Sequence, residues 1–257
     1  MGAWARPYPL RRSHVRRFVH TLSDGARTTV HVAAHPARST RVTLALMERP
    51  LPLASWCAQE NVAHALVGGF FLRQADGTPL GEVWRNGERI STVPFDEPWG
   101  ATRSCVAIDE GRVRLAPRDD LPPRPGGDLL QAGPLLVAGR LPVVHDGFDP
   151  EGFSANQAQF DSDITVGRYP RAALGMGRDW LLAVACDGRS EHDAGLTLRE
   201  LAELMAALGA DRAINLDGGG STSLVHDGIL RNVPREEHGI ELLAGRPVVN
   251  ALVFEAI

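Results

Sequence analysis

A strand, a helix and a second strand follow one another at DWLLAVACDG (residues 179–188), TLRELAELMAAL (197–208) and RAINLDGGG (212–220). Thr197 can cap the helix, Glu200 completes a capping box, and Gly209 is typical of a helix C-terminus. Leucines recur at helical spacing on one face of the segment. A strand, a crossover helix and a strand form a βαβ unit, so we expect the two strands to be parallel neighbours.

Short strands and hairpins fill much of the remaining chain. Residues 15–22 and 26–35 alternate with period two and predict a hairpin, and Asn86 and Gly87 are typical of a hairpin turn. The sequence therefore predicts an α+β (mixed α/β) fold, with a strand-rich mixed sheet in which the βαβ unit carries the active-site loops. We expect a single domain over residues 1–257, in which residues 1–40 form an N-terminal β-hairpin extension.

Composition excludes several classes of function. The chain has 257 residues, 44% of them hydrophobic and 23% charged, and a formal net charge of −4, which argues against a nucleic-acid binder. All 27 basic residues are arginine, so Schiff-base chemistry and a P-loop lysine are excluded. Each arginine is still a capable ligand for phosphate or carboxylate.

The cysteines and the apolar runs bear on the type of protein. Cys57, Cys105 and Cys186 are far apart and odd in number, which disfavours a disulfide framework or a zinc site. We find no signal-peptide pattern at residues 1–20 and no apolar run of the roughly 18 residues that a membrane span needs. These observations predict a soluble cytoplasmic protein without a membrane span, or a secreted one if a leader was removed. The sequence does not indicate the oligomeric state.

Both strands of the predicted βαβ unit end in Asp-Gly. One reads Asp187-Gly188-Arg189, and the other has Asp217 followed by three glycines, residues 218–220. Parallel strands would bring both carboxylates to one edge of the sheet, the usual position of a site. Successive bare amides can also bind an anion. The alternative is that Asp-Gly pairs are simply turn residues.

Several segments carry a family resemblance. NLDGGGSTSLV (215–225), together with VACDGR, GLTLRELAELMAALGA, QAGPLLV, YPRAALG and GGFF, resembles the phosphodiester glycosidase domain family over about residues 41–254. The resemblance implies hydrolysis of a sugar joined through its anomeric oxygen to a phosphodiester, so the expected partner is a small-molecule or glycan sugar-1-phosphodiester. It also implies substrate contacts by Gly69 of GGFF and by Asn232 and Arg235 of RNVPRE.

The residues can be examined for that chemistry independently. Arg171 and Arg189 are candidate bidentate phosphate donors, with a structural ion pair as the alternative for each. Glycoside cleavage commonly uses two carboxylates. Asp217 is the candidate nucleophile or general base, and Asp187 a second acid or a ligand for a sugar hydroxyl. Because a phosphoryl group leaves readily, one carboxylate with an arginine clamp could suffice.

Further candidates surround this pair. Asn215 lies two positions before Asp217 and could orient a carboxylate or bind a sugar hydroxyl, unless it is a core amide. Ser221 and Thr222 are expected to hydrogen-bond phosphate or the loop, since Ser221 lacks the G-x-S-x-G context of a nucleophile. The predicted substrate-binding set includes Gly218, Gly219 and Gly220.

Two departures from the family pattern concern the sugar. Val67 stands where the family commonly has Asn, and Ala172 where it commonly has Thr. If those polar groups contact sugar in the family, sugar recognition is altered here. The departures bear on which sugar is bound more than on whether it is hydrolysed.

Two other classes of function remain open. A metal-dependent phosphodiesterase could bind Mg²⁺ or Ca²⁺ through carboxylates at Asp161, Asp163, Asp187 and Asp217, although the expectation is that no cofactor is needed. The chain could instead be a non-catalytic module that binds anionic glycans.

Overall fold

The computed structural model describes residues 12–72, 77–145, 147–154, 165 and 167–257. The helices are α1 (Leu53–Glu60), α2 (Trp99–Thr102) and α3 (Leu198–Ala207). In chain order the strands are β1 (His14–Thr21), β2 (Arg27–Pro36), β3 (Thr40–Pro52), β4 (His64–Val67), β5 (Val83–Arg85), β6 (Glu88–Arg89), β7 (Ser104–Asp109), β8 (Arg112–Pro117), β9 (Asp128–Gln131), β10 (Leu135–Ala138), β11 (Leu141–Pro142), β12 (Arg171–Met176), β13 (Trp180–Cys186), β14 (Arg212–Asn215), β15 (Leu224–His226), β16 (Ile229–Leu230) and β17 (Pro247–Ala256).

These strands form three sheets. The orders are β1-β2-β13-β12-β14-β10-β11, β16-β15-β4-β17-β3 and β6-β5-β9-β7-β8. Each pairing between neighbours in these orders is antiparallel. The strand-rich part of the prediction is confirmed, but the fold is mostly β, so α+β describes it only loosely. The prediction of a mixed sheet is wrong.

The predicted βαβ unit is present with one strand more than expected. β13, α3 and β14 follow one another, but β12 lies between the two strands: Arg171 pairs with Cys186 of β13, and Ala173 pairs with Asn215 of β14. The prediction that β13 and β14 are neighbours is therefore wrong. Because β12 is antiparallel to both, they still run in the same direction. Their carboxyl ends share one edge of the sheet, where β12 begins with Arg171.

Local signals determine α3. The Thr197 hydroxyl accepts a hydrogen bond from the Glu200 amide (3.1 Å), and the Glu200 carboxylate accepts one from the Thr197 amide (2.9 Å). This is the predicted capping box, which satisfies two amides at the helix end that otherwise lack partners. The buried face of the helix comprises Leu198, Leu201, Ala202, Leu204 and Met205.

Two apolar layers lie on opposite faces of the seven-stranded sheet. Along β2, Val32 and Ala34 pack with Leu201 and Met205 of α3, whereas Ala33 faces the core shared with the other two sheets. This alternation is the period-two pattern of a strand buried on both sides. The sequence of layers is therefore helix, seven-stranded sheet, and the two five-stranded sheets.

The hairpin predicted over residues 15–35 is present as β1 and β2 and belongs to the main sheet. Residues 1–11 of the predicted extension lie outside the described residues, and the single domain stays a prediction. β2 pairs with β1 and, from Trp180–Pro36 to Cys186–Val30, with β13. The turn at Asn86 and Gly87 is also confirmed, with φ of 52° and 78°. Of the helices described, none has the length and apolar character needed to cross a membrane.

Candidate active site

Asp217 follows β14 and is fixed there through its backbone. The Leu216 amide donates to the carbonyl of Ala172 (2.9 Å), and the Asp217 amide donates to that of Gly68 (3.0 Å). The carboxylate accepts a hydrogen bond from the Gly218 amide (2.9 Å). These bonds place Asp217 where the seven-stranded sheet meets the end of β4, and the residue is partly exposed there.

The three glycines after Asp217 pack closely against other segments. Gly219 has a φ of +60°, a left-handed conformation that glycine adopts without steric cost. A Cβ on Gly218 would lie 2.9 Å from the carbonyl oxygen of Pro170, a backbone atom. The bare backbone is therefore required by packing. Among the loop amides, that of Gly218 bonds Asp217 and that of Gly219 bonds the Pro170 carbonyl (2.9 Å).

The contacts predicted between the three glycines and substrate stay a prediction, and the geometry reduces the number of amides that could make them. With two amides already donating, the Gly220 amide is the one of the three that has no acceptor among the described residues. Its carbonyl accepts from the Arg246 amide (3.0 Å). The loop thus offers one amide, and not a nest of three, to an anion.

Arg189 lies over the glycine loop. Its Nη1 would be 3.3 Å from a Cβ on Gly219, and it donates to the Arg235 carbonyl (3.2 Å). The side chain is half-buried, and no carboxylate of the described residues forms an ion pair with it. Burial lowers the pKa of this guanidinium from its ordinary value, an effect that the more distant Glu237 and Glu236 partly oppose. The geometry leaves several N–H donors of a desolvated cation available to an anion.

A cleft of about 730 Å³ opens beside Arg189. Arg189 and Arg235 contribute its cationic side chains, and His192 and His238 also line it. The Arg235 side chain is anchored by Glu241 (2.6 Å), and its Nη1 has no hydrogen-bond partner among the described residues. Carboxylates also line this cleft, those of Glu191, Asp193 and Glu241, and its connection to the glycine loop is Arg189, which lies over Gly219.

Tyr169 connects the two predicted phosphate arginines. The guanidinium carbons of Arg171 and Arg189 each lie 5.4 Å from the centroid of its ring, within cation–π range. Arg171 is buried and donates from Nε to the Leu196 carbonyl (3.0 Å). Of the two arginines, Arg189 is the more accessible and Arg171 the more firmly held by the fold.

Asp187 is buried, and both of its carboxylate oxygens are engaged. Oδ2 lies 3.0 Å from Nε2 of His31, and Oδ1 accepts from the Val233 amide (2.7 Å). The backbone of Asp187 also bonds to Thr28 and Thr29 of β2. Asp187 therefore joins β2, β13 and the segment after β16 directly before Arg189.

The remaining predicted residues lie beneath the loop. Asn215 is buried and donates to the Gly133 carbonyl (3.0 Å), while its Oδ1 has no hydrogen-bond partner among the described residues. Ser221 and Thr222 are buried, with the Arg246 guanidinium 3.5 Å from the Ser221 hydroxyl. Asn232 links the Leu224 amide (2.9 Å) to the Thr222 carbonyl (2.8 Å). These side chains shape the loop from inside.

Three supporting residues escape sequence reasoning. His31 contacts Asp187, Tyr169 lies against both arginines, and Asn250 accepts the Gly69 amide at its Oδ1 (2.7 Å). The one sequence signal is a polar residue inside an apolar strand, as in VVNALVF (248–254). That signal does not identify a partner 181 residues away.

The sequence profile of the phosphodiester glycosidase family matches residues 60–255. The chain belongs to the phosphodiester glycosidase family. The match begins within α1 and includes β4, Asp187, Arg189 and the Asp217 loop. No curated protein sequence matches this chain.

Three solved structures resemble the phosphodiester glycosidase fold described here. The zebrafish N-acetylglucosamine-1-phosphodiester α-N-acetylglucosaminidase catalytic domain, auto-inhibited by its pro-peptide, has a TM-score of 0.71 at 19% identity, over 97% of this chain and 84% of that one. A hypothetical protein from Synechocystis has a TM-score of 0.62 at 18% identity, over 96% of this chain and 62% of that one. A Burkholderia pseudomallei protein whose name describes it as exported has a TM-score of 0.61 at 17% identity, over 90% of this chain and 74% of that one.

The two departures from the family pattern lie in the core. Val67 and Ala172 are fully buried and pack in the apolar layer between the sheets. A buried polar side chain needs a hydrogen-bond partner, which an apolar residue does not. The altered sugar recognition stays a prediction.

Asp161 and Asp163, two of the four carboxylates in the alternative metal set, lie outside the described residues. The other two are Asp187, whose oxygens bond His31 and Val233, and Asp217, which accepts the Gly218 amide.

The cytoplasmic location is still a prediction.

Proposed function

We propose that this phosphodiester glycosidase hydrolyses the bond between the anomeric carbon of a sugar and the oxygen of a phosphodiester. The observation that carries the proposal is Arg189, a half-buried guanidinium without an ion-pair partner among the described residues. It faces the cleft and covers the glycine loop beside Asp217. A desolvated cation with unused donors next to a carboxylate suits a substrate with one anionic and one electrophilic centre.

The phosphodiester anion binds to Arg189 and to the Gly220 amide. Arginine matches phosphate geometry with two parallel N–H donors. The Arg235 side chain, at the wall of the cleft, is paired with Glu241 and adds the N–H donors of Nη1, which has no hydrogen-bond partner among the described residues. Arg171 supports the site from below through Tyr169.

Asp217 acts at the anomeric carbon as nucleophile or as general base toward water. The anomeric C–O bond breaks with both electrons going to oxygen, so the leaving group is a phosphomonoester. Such a group has a second pKa of about 6 and leaves near neutral pH without a strong general acid. One carboxylate and the arginine clamp therefore suffice for the reaction.

Asp187 has a positioning role in this proposal. Its oxygens are engaged by His31 and the Val233 amide, so contact with substrate would require it to exchange one of these bonds. It holds the turn in which Arg189 adopts a φ of +59°. A second-acid role for Asp187 stays an alternative within the same reaction.

The test compares Asp217→Asn with Asp211→Asn on a panel of sugar-1-phosphodiesters. These residues lie just beyond opposite ends of β14, and Asp211 forms an exposed ion pair with Arg140. We expect wild type and Asp211→Asn to release sugar, and Asp217→Asn to bind substrate without turnover. Equal turnover by Asp217→Asn contradicts the assignment. Binding without turnover by all three proteins identifies a glycan-binding module instead.

A further inference from the structure

A second cluster of polar side chains lies at the opposite end of β4 from the candidate active site. His64 at the start of β4 pairs in register with His226 at the end of β15, and their ring centroids are 4.3 Å apart. Asp227 follows in the turn. One ligand atom from each of the three residues lies within 4.8 Å of the other two. We call these residues the histidine cluster.

His226 is the unusual member of the histidine cluster. Its side chain is 3% exposed, and neither ring nitrogen has a hydrogen bond of acceptable geometry among the described residues, although Nδ1 lies 3.1 Å from Oδ2 of Asp227. A buried polar group without a hydrogen bond costs free energy and calls for a partner. The ligand atoms of His64, His226 and Asp227 lie close enough together for one ion to contact all three.

Two further polar groups face the histidine cluster among the described residues. The ring of His35 lies 5.4 Å from that of His64 between centroids, and Arg231 lies 3.7 Å from Oδ2 of Asp227. The Arg231 guanidinium is held by the His226 carbonyl, to which Nε and Nη2 both donate. Two imidazoles and one carboxylate are therefore the ligand groups that a metal ion would meet here.

We propose that His64, His226 and Asp227 bind one divalent transition-metal ion, with Zn²⁺ the best match. Two imidazole nitrogens and one carboxylate oxygen are ligands that zinc accepts, whereas Mg²⁺ and Ca²⁺ prefer oxygen alone. Asp227 is 66% exposed, which gives the ion a route from solvent and leaves a position for water. The ion replaces the 3.3 Å hydrogen bond from the Asp227 amide to Nδ1 of His64.

This site has a structural role, separate from the proposed reaction. Gly68, which bonds the Asp217 amide, is four residues along β4 from His64, so the two sites are roughly 13 Å apart along the strand. The ion would fasten the turn after β15 to the start of β4. Its failure to bind would therefore leave the glycosidase proposal untouched.

The test uses tag-free protein treated with chelator and dialysed. Zn²⁺ binding is followed by calorimetry, and Co²⁺ binding by its visible absorption bands. We expect one ion per chain and a higher melting temperature with zinc. Asp227→Asn and His64→Gln should each weaken binding by roughly tenfold or more, since loss of even a ligand's supporting partner commonly costs that much.

His20→Gln, on β1, is the matched control and should bind as wild type. Asp227 is exposed, so its variant is expected to fold, and circular dichroism checks this for each protein. Absence of saturable binding at one equivalent overturns the proposal. So does zinc affinity in Asp227→Asn and His64→Gln equal to that of wild type, because the ion would then bind elsewhere.

Discussion

Arg189 is the residue on which the proposed chemistry most depends. It is held by one hydrogen bond to the Arg235 carbonyl and by the ring of Tyr169, and it lines the cleft. The site thus keeps a cation desolvated without neutralising it by an ion pair. An arginine arranged in this way binds an anionic ligand more strongly than one exposed to water, because the surrounding dielectric is lower.

We predict that Arg189→Ala lowers kcat/KM for a sugar-1-phosphodiester by roughly 10- to 100-fold. A hydrogen bond to a charged group contributes about 1.5–3 kcal/mol, which corresponds to that range. Steady-state kinetics on folded protein measures it. Arg199→Gln, which removes an exposed guanidinium paired with Glu203, is the control. Unchanged kcat/KM in Arg189→Ala excludes this residue from anion binding.

The sequence indicated which residues carry the candidate site, but not which distant residues contact them. Asp217, Arg189 and the glycines stand out because their neighbours in sequence form a pattern. His31 and Asn250 are separated from the groups they hold by 156 and 181 residues. Only the pairing of distant strands brings them there, and a single sequence carries no record of that pairing.

At the scale of elements, the end of β4 and the end of β14 form one unit. Gly68 receives the Asp217 amide on its carbonyl, and the next amide, that of Gly69, donates to Asn250 of β17. A Cβ on Gly68 would collide with Oδ1 of Asn250. The position of Asp217 therefore depends on a close approach between two strand ends.

Gly68→Ala is accordingly expected to destabilise the protein by about 1–3 kcal/mol, the usual cost of overpacking. Gly126→Ala is the matched control, because a Cβ there meets no atom within 4 Å. Urea unfolding measures both. If the two variants unfold at the same urea concentration, the Gly68–Asn250 contact is not as the structure describes.

The elements themselves differed in how predictable they were. The capping box of α3 and the turn at Asn86 are local signals, and both are confirmed. The place of β12 between β13 and β14 is a matter of strand order, which local signals do not encode. The prediction that both strand-end carboxylates lie at one edge of the sheet depended only on the direction of β13 and β14. That direction is as predicted, although the two strands are not neighbours.

At the scale of the molecule, the three cysteines report on the packing of the core. Cys57, Cys105 and Cys186 are buried in the apolar layers, and burial raises the pKa of the Cys57 thiol to about 12. The same cause raises the pKa of the other two. Since the thiolate is the reactive form, burial and pKa both protect these groups.

Native protein at pH 8 should therefore not react with a thiol reagent such as DTNB, whereas three thiols per chain should react in denaturant. The time course of absorbance measures this. Rapid labelling of one thiol in native protein contradicts the burial described here.

The central claim is that the C–O bond of a sugar-1-phosphodiester breaks at the Asp217 loop. Hydrolysis in ¹⁸O water tests it most directly, with mass spectrometry of both products from wild type and Asp217→Asn. We predict label in the free sugar and none in the phosphomonoester, with turnover lost in the variant. Label in the phosphomonoester would mean attack at phosphorus, and would contradict the carboxylate mechanism in favour of a metal-assisted phosphodiesterase.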